Sequence, residues 1–241
     1  MIAPRFLRFV QLFLATLVLS TACQLSKAQP HQHILTPKAG SDSIRALLKY
    51  LLPALPSTHK SARVYYEAAC RVDDRTYPLT FPKVYINKPS TAAAGIDAVR
   101  GIFAKQQQVE VTQDETGVIR IVLGKPPMSV LTTTIKSLAF TPDAQYNVLS
   151  AIRTVESAPE VLSVMSRLAI HNPMRIAEYP VLQPDTTLPH LPKEVSDVTM
   201  DQALDVIATT WSGVVFYGAC SDLGMYEIFL TKSDYFLGAR F

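Results

Sequence analysis

The stretch from Val198 to Cys220 reads "VTMDQALDVIATTWSGVVFYGAC". Thr199 and Gln202 have the spacing of a capping box, in which each side chain satisfies a backbone amide that the start of a helix leaves open. Ala203, Leu204 and Ile207 then recur at helical spacing and predict one apolar face. "GVVFYGAC" is rich in β-branched and aromatic residues and reads as a strand. "SDLG" is a turn, and "MYEIFL" returns with Tyr226, Ile228 and Leu230 on one side. The segment is an α-β-β unit.

About a hundred residues earlier the chain reads "GIDAVRGIFAKQQQVEV". A helix is expected over 92–106, with Val99, Ile102 and Phe103 facing inward. Val109 and Val111 alternate in the next strand, "DETG" turns, and Val118 to Leu123 returns. Without a gap, Ala98, Val99 and Ile102 align with Ala203, Leu204 and Ile207, and Val109 and Val111 align with Val214 and Phe216. Two extra turn residues set Ile119 and Ile121 against Tyr226 and Ile228. One such unit exposes an apolar sheet face and helix stripe, and two related units can bury them together.

The remaining chain fills in around these units. Ile44, Leu47, Leu48 and Leu51 predict a helix over 41–52, capped by Ser41 or Asp42 and stopped by Pro53 and Pro56. Residues 62–70, "ARVYYEAAC", read as a strand, and 79–86, "LTFPKVYI", as extended, with Pro82 arguing for an edge position or two short strands. "MSVLTTTIKSLAF" reads as one more strand. Thr141 and Pro142 start one helix, and Ser157 with Glu160 has capping-box spacing for another. Pro173, Pro180, Pro184, Pro189 and Pro192 make an extended connector. The fold class expected is α+β: a first α-β-β module with its N-terminal helix over 41–140, a helical hairpin over 141–171, a connector over 172–193 and a second module over 194–241.

The N-terminus has a different composition. Arg5 and Arg8 precede an apolar run from Phe9 to Leu19, and Ser26 and Ala28 suit a cleavage site before Gln29. Residues 1–28 therefore read as a secretory signal peptide, and 29–40 as a flexible lead. The run falls short of the ~20 residues that span a bilayer. "LSTAC" also resembles a bacterial lipoprotein box, with Cys23 as the lipidated residue, though Ser20 stands where an aliphatic is expected. Residues 1–28 carry three of the 23 basic residues and no acid, so export leaves 20 of each sign. A chain without basic excess has little electrostatic reason to bind nucleic acid. Cys70 and Cys220 would then be the exported chain's two cysteines, and an oxidising compartment makes them a disulfide candidate.

"VSDVTMDQALDVIATTWSGVVFY" resembles the short N-terminal domain shared by secretins and TonB-dependent receptors. In that family a strand ending in V-T precedes x-x-A-L-D-x-I-A and a hydrophobic strand. Val198, Thr199, Ala203, Leu204, Asp205, Ile207 and Ala208 carry the match here. The resemblance spans about 40 residues, with a weaker echo over 90–123, and its motif consists mostly of caps and core. Trp211 departs from the pattern, and the family's helix-ending Gly is present only as Gly213. The resemblance implies docking to partner proteins in a bacterial envelope.

The search for chemistry returns little. His31 and His33 are too few to ligate a metal, and His59, His171 and His190 stand without an evident nucleophile. Asp73 and Asp74 read as turn residues. Nucleophile-elbow and phosphate-loop patterns are absent, so no catalytic residue, metal ligand or cofactor is assigned. Tyr65, Tyr66, Trp211, Phe216 and Tyr217 are candidates for a partner-facing aromatic set, against the simpler expectation of sheet packing. The expectation is a periplasmic or outer-membrane-associated protein that binds an envelope partner. It would meet the membrane only through a lipid on Cys23, and its oligomeric state is open. The alternatives are a cysteine-dependent hydrolase using Cys70 or Cys220, and a protein binding a small molecule or glycan between modules.

Overall fold

A computed structural model describes residues 40–57, 60–70, 79–87, 94–172 and 189–231. All lie in one compact unit, Thr36–Phe241. The protein is α+β, as the alternation of helical and strand periods predicts. Six helices are described: α1 (Gly40–Ala54), α2 (Ile96–Ile102), α3 (Pro142–Tyr146), α4 (Val148–Glu156), α5 (Pro159–Arg167) and α6 (Met200–Trp211). The strands are β1 (Ala62–Glu67), β2 (Ala69–Cys70), β3 (Leu79–Thr80), β4 (Val109–Gln113), β5 (Ile119–Leu123), β6 (Thr134–Ala139), β7 (Glu194–Thr199), β8 (Val214–Cys220) and β9 (Met225–Thr231).

Both expected hairpins form, and they join a single five-stranded sheet of order β4-β5-β1-β8-β9. Central β1 runs parallel to β5 and β8, with Val64 opposite Ile121 on one side and Phe216 on the other. The hairpins β4–β5 and β8–β9 are antiparallel. The proline connector is therefore not a domain boundary. β6, before it, pairs antiparallel with β7, after it, in a separate two-stranded ribbon.

Helices cover both faces of the sheet. On one, α1 and α2 pack Leu47, Leu51, Val99 and Ile102 against Val64, Ile119, Ile121 and Phe216. On the other, α4, α5 and α6 pack Ile152, Val161, Leu204 and Ile207 against Val215, Tyr217 and Tyr226. A sheet buried on both sides needs apolar residues at successive positions. β8 meets this with all seven residues buried.

The two α-β-β segments are consequently not placed as equivalents. α2 lies on one face and α6 on the other. Ile119 and Ile121 face α2, whereas Tyr226 and Ile228, their aligned counterparts, face α6. β4 is an edge strand and β8 an interior one. The shared spacing reflects the periods of any helix leading to a strand.

Several local expectations change. α1 runs through Pro53 to Ala54, since a proline near a helix end need not stop it. The capping assigned to Ser41 or Asp42 falls on side chains outside the described residues. α2 starts at Ile96, and Gly95, at φ 130°, precedes it. β1 ends at Glu67 rather than continuing to Cys70, and of 79–86 only Leu79–Thr80 is strand. In "MSVLTTTIKSLAF" the strand begins only at Thr134.

The first hairpin helix breaks at Asn147, which is extended and turns its side chain to the amides of Leu149 and Ser150, 3.0 and 3.4 Å away. Asparagine favours such caps over helix interiors. The Ser157–Glu160 box does not form. Ser157 closes α4 and Ala158 begins α5, while Glu160 accepts from the Lys136 amide at 3.2 Å. The Thr199–Gln202 box does form, with bonds of 2.8 and 3.1 Å in the two directions.

One glycine is set by a close approach. A Cβ on Gly218 would clash with the Cζ end of Tyr66, whose ring crosses this point of β8 and whose hydroxyl donates to the Glu227 carboxylate. Phe81 stands edge-on to both Tyr66 and Phe216, at centroid distances of 4.7 and 6.0 Å.

Candidate functional site

The largest departure from an apolar interior lies where α6 crosses β1 and β5. Side chains alternate across a strand, so Arg63, between Ala62 and Val64, points to the α6 side. Asp201 and Asp205, one turn apart on α6, share a face and meet it there. Arg63 is fully buried. It donates to the Asp201 backbone carbonyl at 2.9 Å, to Asp201 Oδ1 at 2.8 Å and to Asp205 Oδ1 at 3.3 Å.

Arg120, opposite Arg63 in the β1–β5 register, brings a second guanidinium. It reaches Asp201 and Asp205 at 2.5 Å each, and Asp114 in the β4–β5 turn at 2.8 Å. Tyr65 donates to Asp201 at 2.9 Å and accepts from Arg120 at 2.5 Å. Two guanidinium groups, three carboxylates and one phenol thus form a continuous network from α6 to two strands and a turn.

Burial and charge compete within it. Burial raises the Tyr65 pKa, despite the opposing pull of Arg63, so the phenol stays protonated. Burial would lower that of Arg120, but its interactions with Tyr65, Asp205 and Asp201, including the hydrogen bond to Asp205, outweigh it and raise the value. For Asp205 burial dominates and lifts the carboxyl above its ordinary range, while Arg63 and Arg120 pull it back. Asp114 goes the other way. Its partial burial is overcome by bonds from Thr116, Arg120 and the Val118 amide, so it lies below the usual range.

Chemically, this arrangement holds rather than reacts. Each guanidinium is taken up by carboxylates, and no nucleophile sits beside a free base in the network. It fastens the helix that carries the family-like motif to the centre of the sheet. Among the described residues, no group of three or more His, Cys, Asp or Glu side chains could hold a metal ion. No described helix is long and apolar enough to cross a membrane.

Of the residues singled out from the sequence, Cys70 and Cys220 come together at disulfide distance, with a Cα–Cα separation of 5.9 Å across 150 residues of chain. A hydrolase needs the free thiolate, which a bond between these two sulfurs would remove. Tyr65, Tyr66, Trp211, Phe216 and Tyr217 are all buried, the most exposed being Trp211 at 7%. They pack within the two cores and present no aromatic face to a partner. Phe216 stacks on Phe229 at 4.9 Å, and Tyr217 donates to the Pro127 carbonyl at 2.9 Å. His171 bridges to β9 through its backbone, and His190 lies 5.3 Å from the Tyr146 ring. Cys23, His31, His33, His59, Asp73 and Asp74 lie outside the described residues.

Sequence reasoning missed Arg63 and Arg120. A charge in an otherwise apolar strand was the available signal: "ARVYYE" and "VIRIVL" each carry one arginine among residues that fill a core.

A half-buried carboxylate, Glu156, closes α4 on the same side of the sheet. Glu156 accepts from Asn172 Nδ2 at 3.0 Å. Burial raises its pKa, against the hydrogen bonds from Asn172 and Tyr226 and the charge of Arg153. A raised folded value means that the native state gains most from this group below the ordinary carboxyl range, and loses that gain as pH rises through the folded value. Glu156→Gln keeps an acceptor without the charge. Its stability relative to the parent is expected to rise between pH 4 and 7 in urea titrations at several pH values. A difference that shrinks with pH would reverse the assignment.

Comparisons with protein-family models, with curated proteins and with solved structures return no match to this chain.

Proposed function

We propose that this chain is an exported bacterial envelope protein that acts as an interaction or assembly module and catalyses no reaction. The observation that carries the reading is the order β7–α6–β8. Val198 and Thr199 end a strand, Thr199 caps the helix, Ala203, Leu204, Ile207 and Ala208 bury, and an apolar strand follows. The short N-terminal domain of secretins and TonB-dependent receptors has this sequence order, and such domains contact partner proteins. The basic, apolar and small-residue layout of residues 1–28 supports export, as does a cysteine pair suited to an oxidising compartment.

The test combines fractionation, intact mass and cross-linking in cells. The expected result is a chain in the envelope fraction that begins at Gln29, or at an acylated Cys23, and cross-links to another envelope protein. A chain found in the cytosol with residues 1–28 intact, or one that captures nothing at physiological salt, overturns the reading.

A further inference from the structure

The two edges of the main sheet are not alike. β9 is met at its start by residue 171: the His171 amide donates to the Gly224 carbonyl at 2.8 Å, and the Tyr226 amide to the His171 carbonyl at 3.1 Å. β4, at the opposite edge, pairs with no strand on its outer side among the described residues. The bonds from the Asp114 amide to the Val118 carbonyl and from the Gly124 amide to the Gln108 carbonyl, 3.2 and 3.1 Å, fix the parity of the β4–β5 ladder. Narrow and wide pairs alternate in such a ladder, so residues 108, 110, 112 and 114 bond inward to β5. The backbone groups of Val109, Val111 and Gln113 therefore point out of the sheet. Among the described contacts, only the Val111 carbonyl has a partner, Arg100 Nε at 3.4 Å.

Exposed edges are usually guarded by proline, lysine or an inward charge. β4, "VEVTQ", has none of these, and its single charge is Glu110. We propose that β4 is the pairing edge for a second copy of this chain, joined antiparallel across a two-fold axis at Val111.

Charge selects the register. Centring the axis on Glu110 would oppose that carboxylate with itself. Centring it on Thr112 would oppose Glu110 with Asp114 of the second copy. Like charges directly opposite each other destabilise a strand pair. Centring on Val111 sets Glu110 against Thr112, Val109 against Gln113 and Val111 against its own copy. It is the one register of the three that opposes no carboxylates. It also pairs the outward amides and carbonyls of Val109, Val111 and Gln113, since each such facing pair exchanges two hydrogen bonds, with the Val111 carbonyl accepting in addition to its bond from Arg100 Nε. The surface borders the α6 network, since Thr112 lies opposite Arg120, but it does not depend on an envelope partner.

The experiment is analytical ultracentrifugation of the purified chain up to about 100 µM, where a concentration-dependent dimer is expected. Thr112→Glu would place a carboxylate opposite Glu110 twice and weaken the dimer by about tenfold, and Thr112→Lys would strengthen it by a similar factor. Thr112 is exposed but lies opposite Arg120, so circular dichroism and urea unfolding check that each variant keeps the parent fold. A parent chain that stays monomeric, or two variants that dimerise equally, overturns the proposal. A monomer that still cross-links to an envelope protein overturns it while leaving the proposed function standing.

Discussion

Arg63→Ala is expected to lower the unfolding free energy by about 3–5 kcal/mol, the cost of leaving buried carboxylates without their partner. Arg63 is 0% exposed, and its guanidinium serves Asp201 and Asp205 together. Arg120 holds the Oδ2 oxygen of each aspartate, so the groups left without their donor are Asp205 Oδ1 and the Asp201 backbone carbonyl. Arg120→Ala is the internal comparison. Its side chain is 21% exposed, solvent can replace some of what it gives, and the loss should stay near 1–2 kcal/mol. Arg63→Lys should fall between, because a single ammonium cannot reproduce the fork that reaches both aspartates. Urea unfolding of the three variants reads these differences. If Arg63→Ala unfolds within 1 kcal/mol of the parent, the network does not hold α6 to the sheet. Should the alanine variant fail to accumulate, the lysine variant still gives a measurable midpoint.

Reduction, or Cys70→Ser with Cys220→Ser, is the second large effect. The bond would close a loop of 150 residues, and a chain-entropy estimate for that length is about 5 kcal/mol. Measured losses for native disulfides run at about 2–5 kcal/mol, so the unfolding midpoint should drop clearly. The loss should also appear early in hydrogen exchange, at Ala69–Cys70 and Leu79–Thr80. β2 and β3 share only two residue pairs, and the bond to β8 adds to the packing of Leu79 and Phe81 that holds them to the main sheet. Equal midpoints with and without a dithiol would mean that the two sulfurs are not bonded in the folded chain.

These expectations differ in how far the sequence points to them. The helix at Met200–Trp211 and the strands that follow were legible because their signals are local: a cap three residues from its partner, a period of 3.6, then a β-branched run. The cysteine pair was legible as a count. The break at Asn147 was missed although its signal was equally local. An asparagine inside a helical stripe competes for the backbone, and only the surrounding packing decides whether it caps or continues.

By itself the sequence determined the type of most of the longer elements, though not their ends, and that helices and strands combine into an α+β chain. Tertiary structure alone decided that both hairpins share one sheet around β1 and that α2 and α6 take opposite faces of it. It also turned Arg63 to aspartates 138 and 142 residues away. The physical reason is range. Backbone preferences and caps act over a few residues, whereas the burial of a charge or an aromatic ring depends on which distant surface closes over it, and β1 gains its neighbours only when residues 119 and 214 arrive beside it.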